Sequence, residues 1–283
     1  MNVKIVSAVL ALALAMMACG FNIDLPEVPT PGPEVTDEIT IAAPTSGEAW
    51  LRLDFGAGKL KLSPGAPTGL VEGTAIYNIP DLKPEVTIED GNVRIRQGSY
   101  SFNSVPDLTD IKNTWELKLG ASPMDLTIAA GAYEADYEFG GLALTGLTIK
   151  DGAADVHLSF SEPNKTEMSV MRYETGASSV ELEGLANANF NTLVFQSGAG
   201  DYTLDFSGSL QRDATITIGS GLSNVILRIP KNVSAIMTVE SGLTNASTGS
   251  GWEKNGNLYT QRSSGPTLTF LIKIGAGNLT ITD

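Results

Sequence analysis
The chain of 283 residues carries 32 acidic against 18 basic side chains, a formal net charge of −14. That balance speaks against nucleic acid or an anionic membrane face as partner, because both reward positive charge. One cysteine, Cys19, and one histidine, His157, exclude a disulfide framework and leave almost nothing from which to build a zinc site or a Ser-His-Asp triad.

Residues 1–18 read as a signal peptide. Lys4 gives a positive start, Ile5 to Ala15 is apolar, and Met16-Met17-Ala18 precedes Cys19. Roughly 13 apolar residues are too few to cross a bilayer, which needs about 20. The segment resembles a bacterial lipobox cut before Cys19 and lipidated on it, with Met16 where leucine is usual. A plain secretory signal is the alternative. Lipidation implies a bacterial cell-envelope protein facing outside the cytoplasm, with the membrane as a partner through its lipid.

Residues 19–46 hold Pro26, Pro29, Pro31, Pro33 and Pro44 with acidic residues between them, which predicts an extended linker. Folded sequence is expected from residue 47. Trp50 to Phe55 alternates strictly and reads as a strand, and Leu60 and Leu62 mark a second one after Gly56. Asp90-Gly91 between two alternating runs, 86–89 and 92–95, is a hairpin signal. The chain loosens between Asp107 and Trp115, which divides it into an N-terminal β module, 47–114, and a repeat domain, 115–283.

The repeat is carried by nine glycines: Gly56, Gly120, Gly131, Gly152, Gly176, Gly198, Gly221, Gly242 and Gly275. Each follows large side chains at offsets −5 and −3, for example Leu193 and Phe195 before Gly198. Large residues return at +4 and +6, as Tyr202 and Leu204 do. From Gly131 to Gly242 the steps are 21, 24, 22, 23 and 21 residues. The pattern predicts an all-β chain, a β-solenoid of β-helix-like stacked coils of about 22 residues, with an N-terminal β module. Each coil is strand, glycine corner, strand and loop, and the corner is expected to need a positive φ. The step of 33 residues to Gly275, with a polar insertion 249–265, predicts an atypical final coil that caps the stack.

Four segments carry a family resemblance: Leu53 to Leu60, Leu70 to Asn78, Gly152 to Asn164 and Gly198 to Gly208. They resemble the bacterial toast-rack group, which includes the C-terminal domains of LiaF-type envelope-stress proteins and adhesin-head domains. The likeness covers about residues 48–283. It implies a β-solenoid and supplies no catalytic residues. LiaF-type proteins have transmembrane helices ahead of this domain, and this chain shows none.

Outward offsets +5 and +7 gather Asp136, Glu138, Glu181, Glu183 and Asp205, a stripe able to hold calcium or a cationic or carbohydrate partner. The alternative is a solvated face that discourages edge aggregation. His157 lies on the same register and is expected at the surface. Thr127, Thr148, Thr217 and Thr238 at −4 suggest a second flat ladder. Asp155, Asp201 and Asp205 could be offered as the acids of a glycan-active β-helix enzyme, yet short coils provide no evident cleft. The sequence therefore reads as a non-catalytic binding or scaffolding module without a cofactor, whose partner is an envelope protein or a glycan.

Overall fold
The computed structural model describes residues 31–98 and 111–283; the signal segment 1–18, Cys19 and the start of the linker lie outside the described residues. Among the described residues fifteen strands form one open mixed sheet. Among the described residues no helix is long and apolar enough to cross a membrane.

The repeat folds as rungs. Strands β2 (Ala49–Pro64), β7 (Met124–Glu138), β8 (Leu144–Ser159), β9 (Met168–Glu183), β10 (Phe190–Asp205) and β11 (Ala214–Arg228) are 15 or 16 residues long. Each runs through its corner glycine, so one strand supplies two arms of the coil. Neighbouring rungs pair in parallel and in register: Phe195 faces Tyr173 on one side and Ile218 on the other. Short connections then bring the chain back to the next rung. They carry Phe139, Phe160, Phe206 and Ile229 into the interior, all essentially fully buried. Full burial of such a side chain is worth about 1.5–3 kcal/mol, so a rung that fails to dock forfeits several of these contributions at once. Asn164 and Asn187 serve these returns. Asn164 exchanges hydrogen bonds with Leu144, accepting from its N–H at 2.8 Å and donating to its carbonyl at 2.7 Å, and Asn187 Nδ2 donates to the Phe160 carbonyl at 2.9 Å.

The corner glycines are required for a reason other than the expected one. None of the nine has a positive φ. Eight of them stack in the order 56, 131, 152, 176, 198, 221, 275, 242, and a Cβ on any of the last seven would lie 2.4–3.1 Å from the carbonyl oxygen of the glycine before it. Missing side-chain volume, not left-handed backbone, is what the corner demands. Positive φ occurs two residues later in three rungs, at Gly58, Gly200 and Gly277. Gly120 is not part of the ladder: it follows β6 (Asn113–Leu119), and a Cβ there would meet the Gly69 carbonyl oxygen at 2.1 Å.

The N-terminal module closes the stack. On the first arm, β5 (Asn92–Gln97) pairs in parallel with β2 and antiparallel with β4 (Pro84–Glu89). Asp90 and Gly91 make the two-residue turn of that hairpin with φ of 49° and 81°. On the second arm, β6 pairs with β2 in parallel and with β3 (Gly69–Tyr77) antiparallel, and β1 (Val35–Ala42) completes this edge. Two expectations need correction. The linker 19–46 is structured over β1, because Ile39 and Ile41 alternate in the proline-free interval between Pro33 and Pro44 and are buried against the core. The boundary between 114 and 115 falls inside β6, and one apolar core runs from Ile39 to Ile281.

The other end of the stack departs from sequence order. After β11 the chain forms β12 (Ser234–Thr248), then the hairpin of β13 (Glu253–Asn255) and β14 (Leu258–Gln261), then β15 (Thr267–Thr282). Strand β15 lies between β11 and β12, and β14 pairs antiparallel with the first arm of β12. The Gly275 coil is therefore an interior rung, and β12 is the terminal one. Side-chain size gives the reason. Phe270, Ile272, Leu279 and Ile281 of β15 are fully buried, whereas β12 offers Ala246 and the exposed Thr248 at the equivalent second-arm positions, too little to cover another rung.

Candidate binding site
The acidic positions expected on the second arm do lie on the outward face, in the register Lys61, Asp136, His157, Glu181 across β2 to β9. They are not idle charges. Lys61 Nζ is 3.8 Å from Asp136, and Arg228 Nη1 donates to Glu181 Oε1 at 3.2 Å. Glu138 accepts the Gly140 N–H at 2.5 Å and the Ser159 hydroxyl at 2.8 Å, and Asp205 accepts the Ser207 N–H at 2.7 Å. Partial burial opposes ionisation of Glu138, but these donors prevail and hold its carboxyl below the usual range. Glu138 and Asp205 thus cap the turns that follow their own strands.

His157 gathers the rest. Its Nε2 is 3.2 Å from Glu183 and its Nδ1 is 3.6 Å from Asp136. One potential ligand atom from each of His157, Glu181 and Glu183 falls within a 4.8 Å set. Burial disfavours the imidazolium, yet hydrogen bonding to Glu183 and Asp136 outweighs it and raises the pKa above its ordinary 6.5. The stability from this cluster is complete below pH 6.5 and is lost as pH rises through the raised value. We expect the imidazole, followed by NMR, to titrate above 6.5, and Glu183→Gln to bring the midpoint down; an unchanged midpoint would separate His157 from Glu183.

A second polar cluster was not anticipated. Asp151, at offset −1, continues the inward register of −5 and −3 into the corner. Its Oδ2 accepts the Tyr173 hydroxyl at 2.8 Å and is 3.4 Å from that of Tyr133, while Oδ1 takes the Thr175 hydroxyl. Burial pushes the Asp151 pKa up, and these hydroxyls counteract only part of it. Burial also raises Tyr133 and Tyr173. Thr175 and Ser178 are 2.6 Å apart, and in the next rungs Ser197, in register with Thr175, donates to Ser220 at 2.7 Å, which is 2.7 Å from Ser223. Counting the −1 position as inward would have revealed the acid in the sequence.

The first arm carries a groove of about 620 Å³ over β4, β5, β2 and β7. Trp50, Arg52, Thr87, Glu89, Asn92, Arg94, Arg96, Asp125 and Thr127 line it. Asp54 organises two of the arginines: Arg52 binds it through Nε at 2.8 Å and Nη2 at 2.7 Å, and Arg94 through Nε at 2.5 Å. Burial works against the Asp54 carboxylate, but the two guanidiniums hold its pKa below the usual value. Arg96 pairs with Glu85 at 2.5 Å. The expected threonine ladder on this face is broken, since Arg172, Val194 and Leu271 stand in register between its members.

Comparison with solved structures finds matches over most of this chain. A protein of Clostridium sporogenes provisionally named a cell adhesion protein is 19% identical, covering 88% of this chain and 99% of its own, with a TM-score of 0.46. One of Bacteroides fragilis provisionally named an adhesin is 9% identical, covering 88% and 97%, with a TM-score of 0.36. One of Parabacteroides distasonis provisionally named a lipid-binding protein is 10% identical, covering 88% and 97%, with a TM-score of 0.39. No curated protein matches the chain. The family model for the N-terminal domain of toast_rack, DUF2154, matches residues 30–183, from just before β1 to the end of β9. That is more than half of the sequence, and the chain belongs to the toast_rack family.

Proposed function
We propose that the chain is a bacterial cell-envelope lipoprotein, anchored through lipid on Cys19 and facing outside the cytoplasm, that acts as a non-catalytic binding or scaffolding module for an envelope protein or glycan. The observation that carries this reading is the outward groove on the first arm. Its side chains are fixed by strand register and by the Asp54 carboxylate, the preorganisation that recognition of a partner needs. The signal-like start and the position of Cys19 support the anchor. A single acyl chain holds only marginally, so stable attachment needs more than one.

Feeding cells a fatty-acid analogue tests the anchor: the chain should label, and Cys19→Ala should abolish the label. A persistent label would refute attachment at Cys19. A second reading, a cation-binding face, is favoured by the His157, Glu181 and Glu183 grouping. An imidazole suits a borderline metal such as zinc better than calcium, which prefers oxygen. Repeating the His157 titration with each ion present reads this directly, because a bound cation displaces the proton and lowers the midpoint.

A further inference from the structure
We infer that the groove over β4, β5, β2 and β7 is a saccharide site, in which a pyranose ring lies on the indole of Trp50 and its hydroxyls meet Arg94, Asn92 and Asp125. The inference rests on the reading of the chain as a binding module and names the class of its ligand.

Trp50 is 52% exposed, whereas Trp115 is fully buried and Trp252 packs partly against the core. Strand alternation places Leu51 and Leu53 inside and Trp50 outside, so its ring adds nothing to the core. It stands in register between Asn92 of β5 and Asp125 of β7. Next to Asp125 the following rung has Gly146, where a Cβ would come within 2.6 Å of the carboxylate, so the groove wall is kept low there.

Side-chain chemistry selects the ligand. Trp50 is the one large apolar side chain facing outward in the groove; Leu51 and Val93, which also line it, are buried and inward. A peptide anchored by several apolar residues would find no second pocket. Glu89 and Asp125 in its lining, within a chain of net charge −14, disfavour a nucleic acid. One aromatic face ringed by donors and acceptors suits a sugar, which has an apolar C–H face and hydroxyls that both donate and accept. Among the described residues Arg94 is held through Nε alone, so both Nη groups retain donors for a hydroxyl or a sugar carboxylate. Three of the seven arginines in the chain line this groove, which makes an acidic sugar as compatible as a neutral one. The volume of about 620 Å³ lies in the range of about 300–1,000 Å³ common for ligand sites.

The test uses the detergent-solubilised full chain with cellohexaose, chitohexaose and hexagalacturonate, followed by titration calorimetry and tryptophan fluorescence. At least one hexasaccharide should bind and shift the emission of Trp50. Trp50→Ala should weaken that binding tenfold or more with unchanged melting, and Trp50→Phe should restore part of it. Thr217→Ala, on the same face five rungs from β2, should leave it unchanged. Arg94→Gln should weaken hexagalacturonate more than the neutral sugars if the natural source is acidic, and all three alike if it is neutral. No binding by any of the three at about 10 mM, far weaker than the −4.1 kcal/mol of a millimolar site, would overturn the inference. Binding that survives Trp50→Ala would overturn it too while leaving the module reading intact. Release of shortened sugars would overturn the module reading instead, and the Trp50 variant would still decide where the sugar sits.

Discussion

Gly198→Val should destabilise the folded chain by about 3 kcal/mol or more, at the upper end of overpacking effects because the obstruction is backbone. A Cβ at Gly198 would lie 2.5 Å from the Gly176 carbonyl oxygen, and the neighbouring rung cannot withdraw without lengthening its parallel hydrogen bonds. For a domain of this size that corresponds to a loss of roughly 6–12 °C in Tm. Gly198→Ala separates this cause from simple backbone freedom. At an ordinary φ, exchanging glycine for alanine would stabilise by about 0.4–1 kcal/mol through the unfolded state, so a loss with alanine points to the close carbonyl. The same change at Gly152, where the carbonyl oxygen is 3.1 Å away, should cost less. Thermal melts of the three variants check the ranking. A Gly198→Val protein that melts like wild type would contradict the glycine ladder.

The second large effect concerns β15. Strands β11, β15 and β12 carry Thr217, Leu271 and Thr238 at one outward position, with Leu271 the partner of both threonines. A cysteine pair at 217 and 271 should therefore oxidise to a disulfide, since adjacent parallel strands about 4.8 Å apart place Cα atoms within the span of about 4.4–6.8 Å that the bond accepts. Closing a loop of that length stabilises by about 4 kcal/mol in the chain-entropy description. A pair at 217 and 238 spans two rungs and should stay reduced. The order follows from what each strand can bury: β15 presents apolar side chains to both neighbours, while the small second-arm residues of β12 suit only an end.

Much of the fold was legible because a period of two within a period of about 22 leaves few ways to bury its apolar residues. The pairs Leu193/Phe195 and Tyr202/Leu204 around Gly198 identified two arms and a corner, and the structure has both. Less legible was anything set by partners distant in sequence. Ile39 and Ile41 were hidden among prolines because their burial depends on β3, some thirty residues later. The place of β15 was hidden because register with β11 and β12 is decided by volume across rungs, not by proximity along the chain. At the site, local pattern located the acidic face but not how its charges are spent, since Glu181 reaches Arg228 two rungs away. Trp50 was read as one residue of an alternating strand. The groove around it arises only when the β4–β5 hairpin folds beside β2, a contact between residues about forty positions apart.

The most direct test of the stacked-rung architecture is oxidative cross-linking of the two cysteine pairs in a Cys19→Ala background, read by non-reducing mobility and mass spectrometry. The 217–271 pair should cross-link nearly completely and the 217–238 pair should not. Efficient linkage of 217 to 238 would show β12 stacked on β11 in sequence order and would contradict the arrangement described.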